Sequence, residues 1–130
     1  MILLDTHVVL WLTSEPARLS AKAKAAIEES RKNDDGLAIC DITLLELATL
    51  ASKGRINLAI SLDILLQELE QRFVVLPITS GRCARTIELS ENYPKDPADR
   101  IIGATALTEG LALVTADRDI RRSKVVPTIW

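Results

Sequence analysis

The chain has 130 residues, a formal net charge of −2, and 48% hydrophobic residues with only 3% aromatics. That length makes one domain, 1–130, with a core of its own, and a core of Ala, Leu, Ile and Val suits helices packed on a parallel sheet. No apolar run approaches the ~20 residues of a membrane span, the start carries no secretory leader pattern, and the net charge is not that of a nucleic-acid binder, although sixteen basic residues can still gather on one face.

Ile2, Leu3 and Leu4 form a continuous apolar run that ends at Asp5. Such a run reads as a strand buried on both faces. Val8, Val9, Trp11 and Leu12 follow at helical spacings, broken by Glu15–Leu19. Ser20 caps a second helix, SAKAKAAIEESRKN. Asn33-Asp34-Asp35-Gly36 is turn chemistry, and Leu37–Cys40 reads as a second strand. Asp41 or Thr43 caps the helix TLLELATLASKG, which Gly54 ends. Ser61 caps SLDILLQELEQR, whose Leu62, Leu65, Leu66 and Leu69 share one face, as core or as a groove for a partner. Phe73–Leu76 is a third strand closed by Pro77. Thr79 caps GRCARTIELSEN, Pro94 and Pro97 frame an acidic turn, and DRIIGATALTEG runs to Gly110. Leu111–Thr115 is a fourth strand, Arg118–Lys124 a short basic segment, and Val125–Ile129 a fifth strand that Pro127 confines to an edge. Alternation of strands and helices predicts an α/β fold: a mostly parallel sheet of four to five strands with helices on both faces. Cys40 and Cys83 lack metal or redox spacing and read as reduced core thiols of a cytoplasmic protein.

Four acids stand at the strand-to-helix junctions. Asp5 ends the first strand, Glu46 lies about one turn into the third helix, Asp99 opens DRIIGATA, and Asp117 follows the fourth strand. A parallel sheet brings such junctions to one edge, where ligands bind. Helix N-termini favour carboxylates by roughly 0.3–1 kcal/mol each. Taken singly, Asp99 and Asp117 therefore read as plain N-caps, and Asp5 reads equally as a turn former. Glu46 has no capping duty inside Leu44-Leu45-Glu46-Leu47-Ala48. If the four converge, each pair ~4–6 Å apart repels by roughly 3–4 kcal/mol at an effective dielectric of 20. Such a cluster takes up protons or binds a cation. An all-oxygen donor set suits Mg²⁺ or Mn²⁺, not zinc, and an ion of that kind supports hydrolysis of phosphate esters.

Around these acids, Thr6 and Thr115 read as caps or as holders of metal-bound water. Asp96 reads as a turn residue, or as an outer ligand. His7 reads as a side chain orienting the first turn, or as one that contacts phosphate or tunes Asp5. Arg118, Arg121, Arg122 and Lys124 read as an RNA-backbone contact or as a solvated face, and Trp11 as core or an oligomer contact.

In order along the chain, DTHVVLW, the Glu46 helix, DPADRIIGATA and LVTAD resemble a PIN domain, and more narrowly the VapC toxins of bacterial and archaeal toxin–antitoxin pairs. The resemblance covers nearly the whole chain. It implies a single PIN-like domain with the first strand at the centre of its sheet. It also implies a metal-dependent endoribonuclease toxin in which Asp5, Glu46, Asp99 and Asp117 hold Mg²⁺ or Mn²⁺ against an RNA substrate. The expected partners are a small antitoxin whose C-terminal segment packs over the site and a second copy of the chain, as a homodimer or within a larger complex with the antitoxin. Relatives with a DPFDR-type motif often carry a histidine where this chain has Pro94, so no role of that histidine transfers. Competing readings are a PIN nuclease of RNA maturation without an antitoxin and a non-catalytic RNA-binding module. A phosphatase with Asp5 as nucleophile needs a second Asp two residues on, where this chain has His7.

Overall fold

The computed structural model describes residues 1–130. Five strands, β1 (Ile2–Leu4), β2 (Leu37–Cys40), β3 (Val74–Leu76), β4 (Leu113–Val114) and β5 (Thr128–Ile129), form one sheet in the order β3-β2-β1-β4-β5. Every pairing is parallel. The chain lays β2 and β3 on one side of β1, then returns to lay β4 and β5 on the other. That reversal makes the carboxyl end of β1 a topological switch point, the place in an open parallel sheet where a crevice forms.

Seven helices cover the sheet: α1 (Thr6–Ser14), α2 (Ala21–Lys32), α3 (Asp41–Ser52), α4 (Leu62–Arg72), α5 (Ser80–Glu88), α6 (Pro97–Glu109) and α7 (Arg118–Ser123). Successive residues of a strand point to opposite faces, so β1 feeds two cores. Leu4 packs with Val8, Val9, Ile27, Leu47 and Leu69 on the α1, α2, α3 and α4 side. Leu3 packs with Tyr93, Ile101, Ile102, Leu113 and Ile120 on the α5, α6 and α7 side. Both leucines are fully buried, each contributing about 1.5–3 kcal/mol of transfer free energy.

The caps at Ser20, Ser61 and Thr79 form as the sequence predicts, each side chain accepting a backbone N–H of the first turn. Three expectations change. Neither Asp41 nor Thr43 caps α3; the helix starts one residue earlier, from Cys40, with no side-chain cap. Asp41 is spent elsewhere, accepting the N–H of Ile78 and tying α3 to the segment after β3 (3.1 Å). The opener of α6 is Asp96, which accepts from Ala98 and Asp99 N–H groups, with Pro97 at the first helical position where its missing N–H costs nothing. Asp99 is thus inside the first turn. The basic segment after Asp117 is α7, ended by Lys124 in the left-handed region.

The leucine stripe of α4 is core: Leu69 is buried and Leu65 and Leu66 pack against the first cluster. β5 is an edge strand, and Pro127 contributes through its carbonyl, accepting from Leu113 N–H (2.9 Å). Cys40 is buried, and burial pushes its thiol up; Cys83, expected in the core, is exposed on α5.

Two clamps hold the start of α6. Arg100 donates to the carbonyls of Thr86 (2.9 Å) and Tyr93 (3.4 Å). Tyr93, 1% exposed, donates its hydroxyl to the carbonyl of Asp99 (2.8 Å). The phenol lies on Gly103 so closely that a Cβ there would sit 2.6 Å from Cζ. Gly103→Ala is therefore expected to lose about 1–3 kcal/mol, the usual cost of overpacking, read as a lowered urea midpoint. An unchanged midpoint would mean that the ring is free to move aside.

Candidate active site

At the carboxyl edge of the sheet Asp5 and Glu46 accept from threonine hydroxyls, and Asp117 joins the same network through its backbone N–H. Asp5 is 4% exposed, and a buried carboxylate needs hydrogen-bond donors to hold its charge. It has one for each oxygen: the N–H of Thr6 on Oδ1 (2.8 Å) and the Thr115 hydroxyl on Oδ2 (2.7 Å). Thr115 Oγ1 in turn accepts the N–H of Asp117 (3.1 Å), which couples β1 to the turn after β4. On the other side, the Thr6 hydroxyl donates to Glu46 Oε1 (2.6 Å). Its single proton is used there, so the 2.9 Å contact with Thr43 has Thr43 as donor. Thr43 lies three residues before Glu46, on the same face of α3. That spacing is readable in the sequence, where Thr43 otherwise reads only as a cap.

Asp99 shows that the four acids share one field. Burial first, then the charges of Asp5, Asp96, Asp117 and Glu46, push its carboxyl up to about 7. Burial also raises Glu46, opposed by the Thr6 hydrogen bond and reinforced by Asp5 and Asp96. Burial, then the charges of Asp5, Asp99 and Asp117, raise the Tyr93 phenol, which places Tyr93 beneath the cluster; nothing in its sequence context signals this. Asp117 does cap α7, accepting from Asp119 (2.8 Å) and Ile120 (3.0 Å) with Oδ1, which leaves Oδ2 outside those bonds. Asp96 caps α6 at an exposed position and adds to the field.

No lysine or arginine neutralises these acids. The arginine ion pairs of the molecule are Arg18–Glu15, Arg82–Glu109 and Arg85–Glu88, and His7 Nδ1 lies 3.7 Å from Asp5 Oδ2. His7 Nε2 accepts the backbone N–H of Ala116 (2.8 Å), so the imidazole pins the turn after β4, as the turn-orienting reading expects. The basic residues Arg118, Arg121, Arg122 and Lys124 are exposed on and just beyond α7, clear of this lattice.

The donor set fits a hard divalent cation. It is all oxygen, it carries unbalanced negative charge, and its members raise one another's proton affinity. No three acidic, histidine or cysteine groups are drawn tightly enough to enclose an ion unaided.

A parallel sheet with buried carboxylates at its switch point is the architecture of a known family. The PIN-domain model matches residues 2–125, and the chain belongs to the PIN-domain family. Over 99% of this chain and 98% of its relative, it is 43% identical to Ribonuclease VapC22 of Mycobacterium tuberculosis. Among solved structures it resembles a chain of a toxin–antitoxin complex from Klebsiella pneumoniae, with 25% identity, a TM-score of 0.68, and 97% and 95% of the two chains covered. It also shares its fold with VapBC2 from Rickettsia felis bound to a promoter DNA fragment, at 20% identity and a TM-score of 0.74 over 98% and 97% of the chains.

The raised Asp99 carboxyl has a consequence for folding. Its proton is held more tightly in the folded chain, about 7 against an ordinary 3.8. Folding is therefore favoured below about pH 4 and loses that advantage as pH rises to about 7. Asp99→Asn removes the charge. In chelator-treated buffer the variant is expected to match wild type near pH 4 and to exceed it by about 1–2 kcal/mol near pH 8, a figure discounted for partial exposure. Urea midpoints across that range measure it; parallel pH profiles would mean that Asp99 carries no burden of repulsion.

Proposed function

We propose that this chain is the metal-dependent endoribonuclease toxin of a toxin–antitoxin pair, acting in the cytoplasm on RNA phosphodiesters. The observation that carries the reading is the uncompensated acidic field around Asp99 at the sheet's switch point. The 43% identity to a ribonuclease across the full chain supports it.

In this reading Asp5, Glu46, Asp99 and Asp117 hold Mg²⁺ or Mn²⁺, which when bound supplies an acidified water and offsets charge on the phosphate in the transition state. The chain's own part is positional and electrostatic. Thr6 N–H and Thr115 Oγ–H fix both oxygens of Asp5, so this carboxylate is held in one orientation. Thr6 Oγ–H turns Glu46 toward the same opening, with Thr43 holding Thr6. Asp99, whose carboxyl burial and the neighbouring acids push up to about 7, is the group whose charge a bound cation would offset most. Asp117, fixed by its cap, completes the wall. Asp96 shapes the start of α6 and deepens the negative potential from outside. Arg118, Arg121, Arg122 and Lys124 supply sequence-independent phosphate contacts along α7.

The test is cleavage of a single-stranded RNA by purified protein. Activity is expected with Mg²⁺ or Mn²⁺ and none with EDTA. Asp5→Asn, nearly isosteric, is expected to lower the rate by at least about 100-fold, the scale of one electrostatic group in a preorganised site, with the fold intact by circular dichroism. Full cleavage in EDTA would defeat the metal reading.

The partner in this reading is a small antitoxin, as the likeness to a chain of a toxin–antitoxin complex suggests. A hollow of about 560 Å³ lies between the end of α1, the segment before α4, and α4 itself, lined by Val9, Leu10, Leu47, Leu58, Ile60 and Leu65. Its apolar lining suits one face of an amphipathic segment, by the helix-in-groove mode. A second copy of the chain completes the assembly, covering unpartnered apolar side chains such as Ile87, 84% exposed on α5. Expression of this chain alone is expected to arrest growth, and co-expression of the small protein encoded beside it to restore growth. Unaffected growth with folded protein present would leave an RNA-maturation nuclease without an antitoxin as the better account.

A further inference from the structure

The chain is poor in rings: two tryptophans, one tyrosine, one phenylalanine and one histidine. Phe73 and Tyr93 are buried in the two cores. The other three converge. His7 and Trp11, one helical turn apart on α1, have ring centroids 5.0 Å apart at a 56° tilt, and Trp11 lies 5.8 Å from Trp130 at 54°. All three are half-buried, and Arg18 lays its guanidinium 4.1 Å from the Trp11 ring. The array touches the candidate site at one end, because His7 contacts Asp5 and holds Ala116.

Its position follows from the topology. Thr115 N–H donates to the carbonyl of Ile129 (3.2 Å), so Trp130 leaves β5 at the same sheet edge where Thr115 leaves β4 for Asp117. Trp11 and Trp130 pack on the edge of the first core, yet each leaves part of its ring to solvent. Tryptophans left half-exposed beside a cation and at the rim of a phosphodiester-cleaving site match how proteins hold unpaired bases: rings stack on aromatic faces and guanidinium planes, while cations take the backbone.

We propose that His7, Trp11, Trp130 and Arg18 form a stacking subsite for an unpaired base of single-stranded RNA next to the phosphate held at Asp5. The inference rests on the ribonuclease reading and adds where a substrate base lies. The subsite binds any base by its face, and Arg18 pairs with an adjoining phosphate.

The chain's only two tryptophans are both in the array, so intrinsic fluorescence reads it directly. The probe is an unstructured uridine oligonucleotide, compared with an abasic strand of equal length and charge, both titrated into Asp99→Asn protein to block cutting. Emission is expected to fall saturably with the uridine strand and to stay nearly constant with the abasic one. Trp11→Phe and Trp130→Phe each retain one reporter and are expected to keep part of the quench. Trp11→Ala is expected to weaken binding of the uridine strand about tenfold while leaving the abasic strand's affinity unchanged. If Trp11→Ala fails to fold, the quench in the tryptophan-bearing protein decides alone. Equal quenching by both strands, or saturable RNA binding with no quench, overturns the subsite. Cleavage by wild-type protein is followed in parallel. Cleavage without a base-dependent quench removes the stacking subsite and leaves the nuclease; neither binding nor cleavage removes both.

Discussion

Asp5 is a charge placed where water barely reaches, and the structure around it is what that placement requires. A carboxylate at 4% exposure is tolerable only with donors on its oxygens, and those donors are Thr6 and Thr115. Thr6 follows Asp5 directly, but Thr115 is 110 residues away in sequence. The bond between them forms only because β4 pairs with β1 in parallel, Leu3 opposite Leu113 and Leu4 opposite Val114. A slip of one residue would turn every side chain of β4 to the wrong face and leave Asp5 Oδ2 without its partner. The register of the central strands and the hydrogen bonding of Asp5 are thus one constraint.

The polar lattice that grows from this point is made of short side chains. Thr6, Thr43 and Thr115 each give one hydroxyl, and each hydroxyl bridges two elements: α1 to α3, or β4 to β1 and the start of α7. Threonine suits this work because its branched stem is stiff at χ1 and its hydroxyl both donates and accepts. Behind the lattice, α6 is held by Tyr93 and Arg100 through backbone carbonyls. No lysine or arginine forms an ion pair with the acids. The protein keeps a repulsive cluster and secures it by packing from behind, the arrangement expected where function needs strain that the rest of the fold must offset.

The two faces of the sheet divide the labour. The α5, α6 and α7 face carries the supports of Asp99 and the basic residues of α7. The α1, α2, α3 and α4 face carries the apolar hollow and the ring array of His7, Trp11 and Trp130. Asp5, at the junction of β1 and α1, lies where the two meet. A long single-stranded substrate crossing this edge would meet cationic, acidic and aromatic surfaces in turn, the combination by which proteins grip, cut and orient such chains.

Much of the fold is decided by local chemistry. The apolar run Ile2–Leu4, the serine and threonine caps, the left-handed glycines after α3 and α6, and the alternation of short buried strands with periodic helices each follow from nearby residues alone. So do the strand-end positions of Asp5 and Asp117 and the anomaly of Glu46 within an apolar helix. What local chemistry leaves open is which role a polar residue takes when several are sterically available. Asp96 rather than Asp99 caps α6, because proline occupies the first helical position and sets the cap one residue before it. Asp41 serves Ile78, and Thr43 serves Thr6, both 37 residues distant. Cys83 faces solvent because helix periodicity on α5 turns Arg82 inward to bind Pro77, Thr108 and Glu109. Tyr93 beneath the acids, and the meeting of Trp11 with Trp130 across 119 positions of chain, have no signature in the sequence at all. Periodicity and capping act over a few residues and are legible there; partnership between side chains depends on which strands become neighbours, and only the assembled sheet decides that.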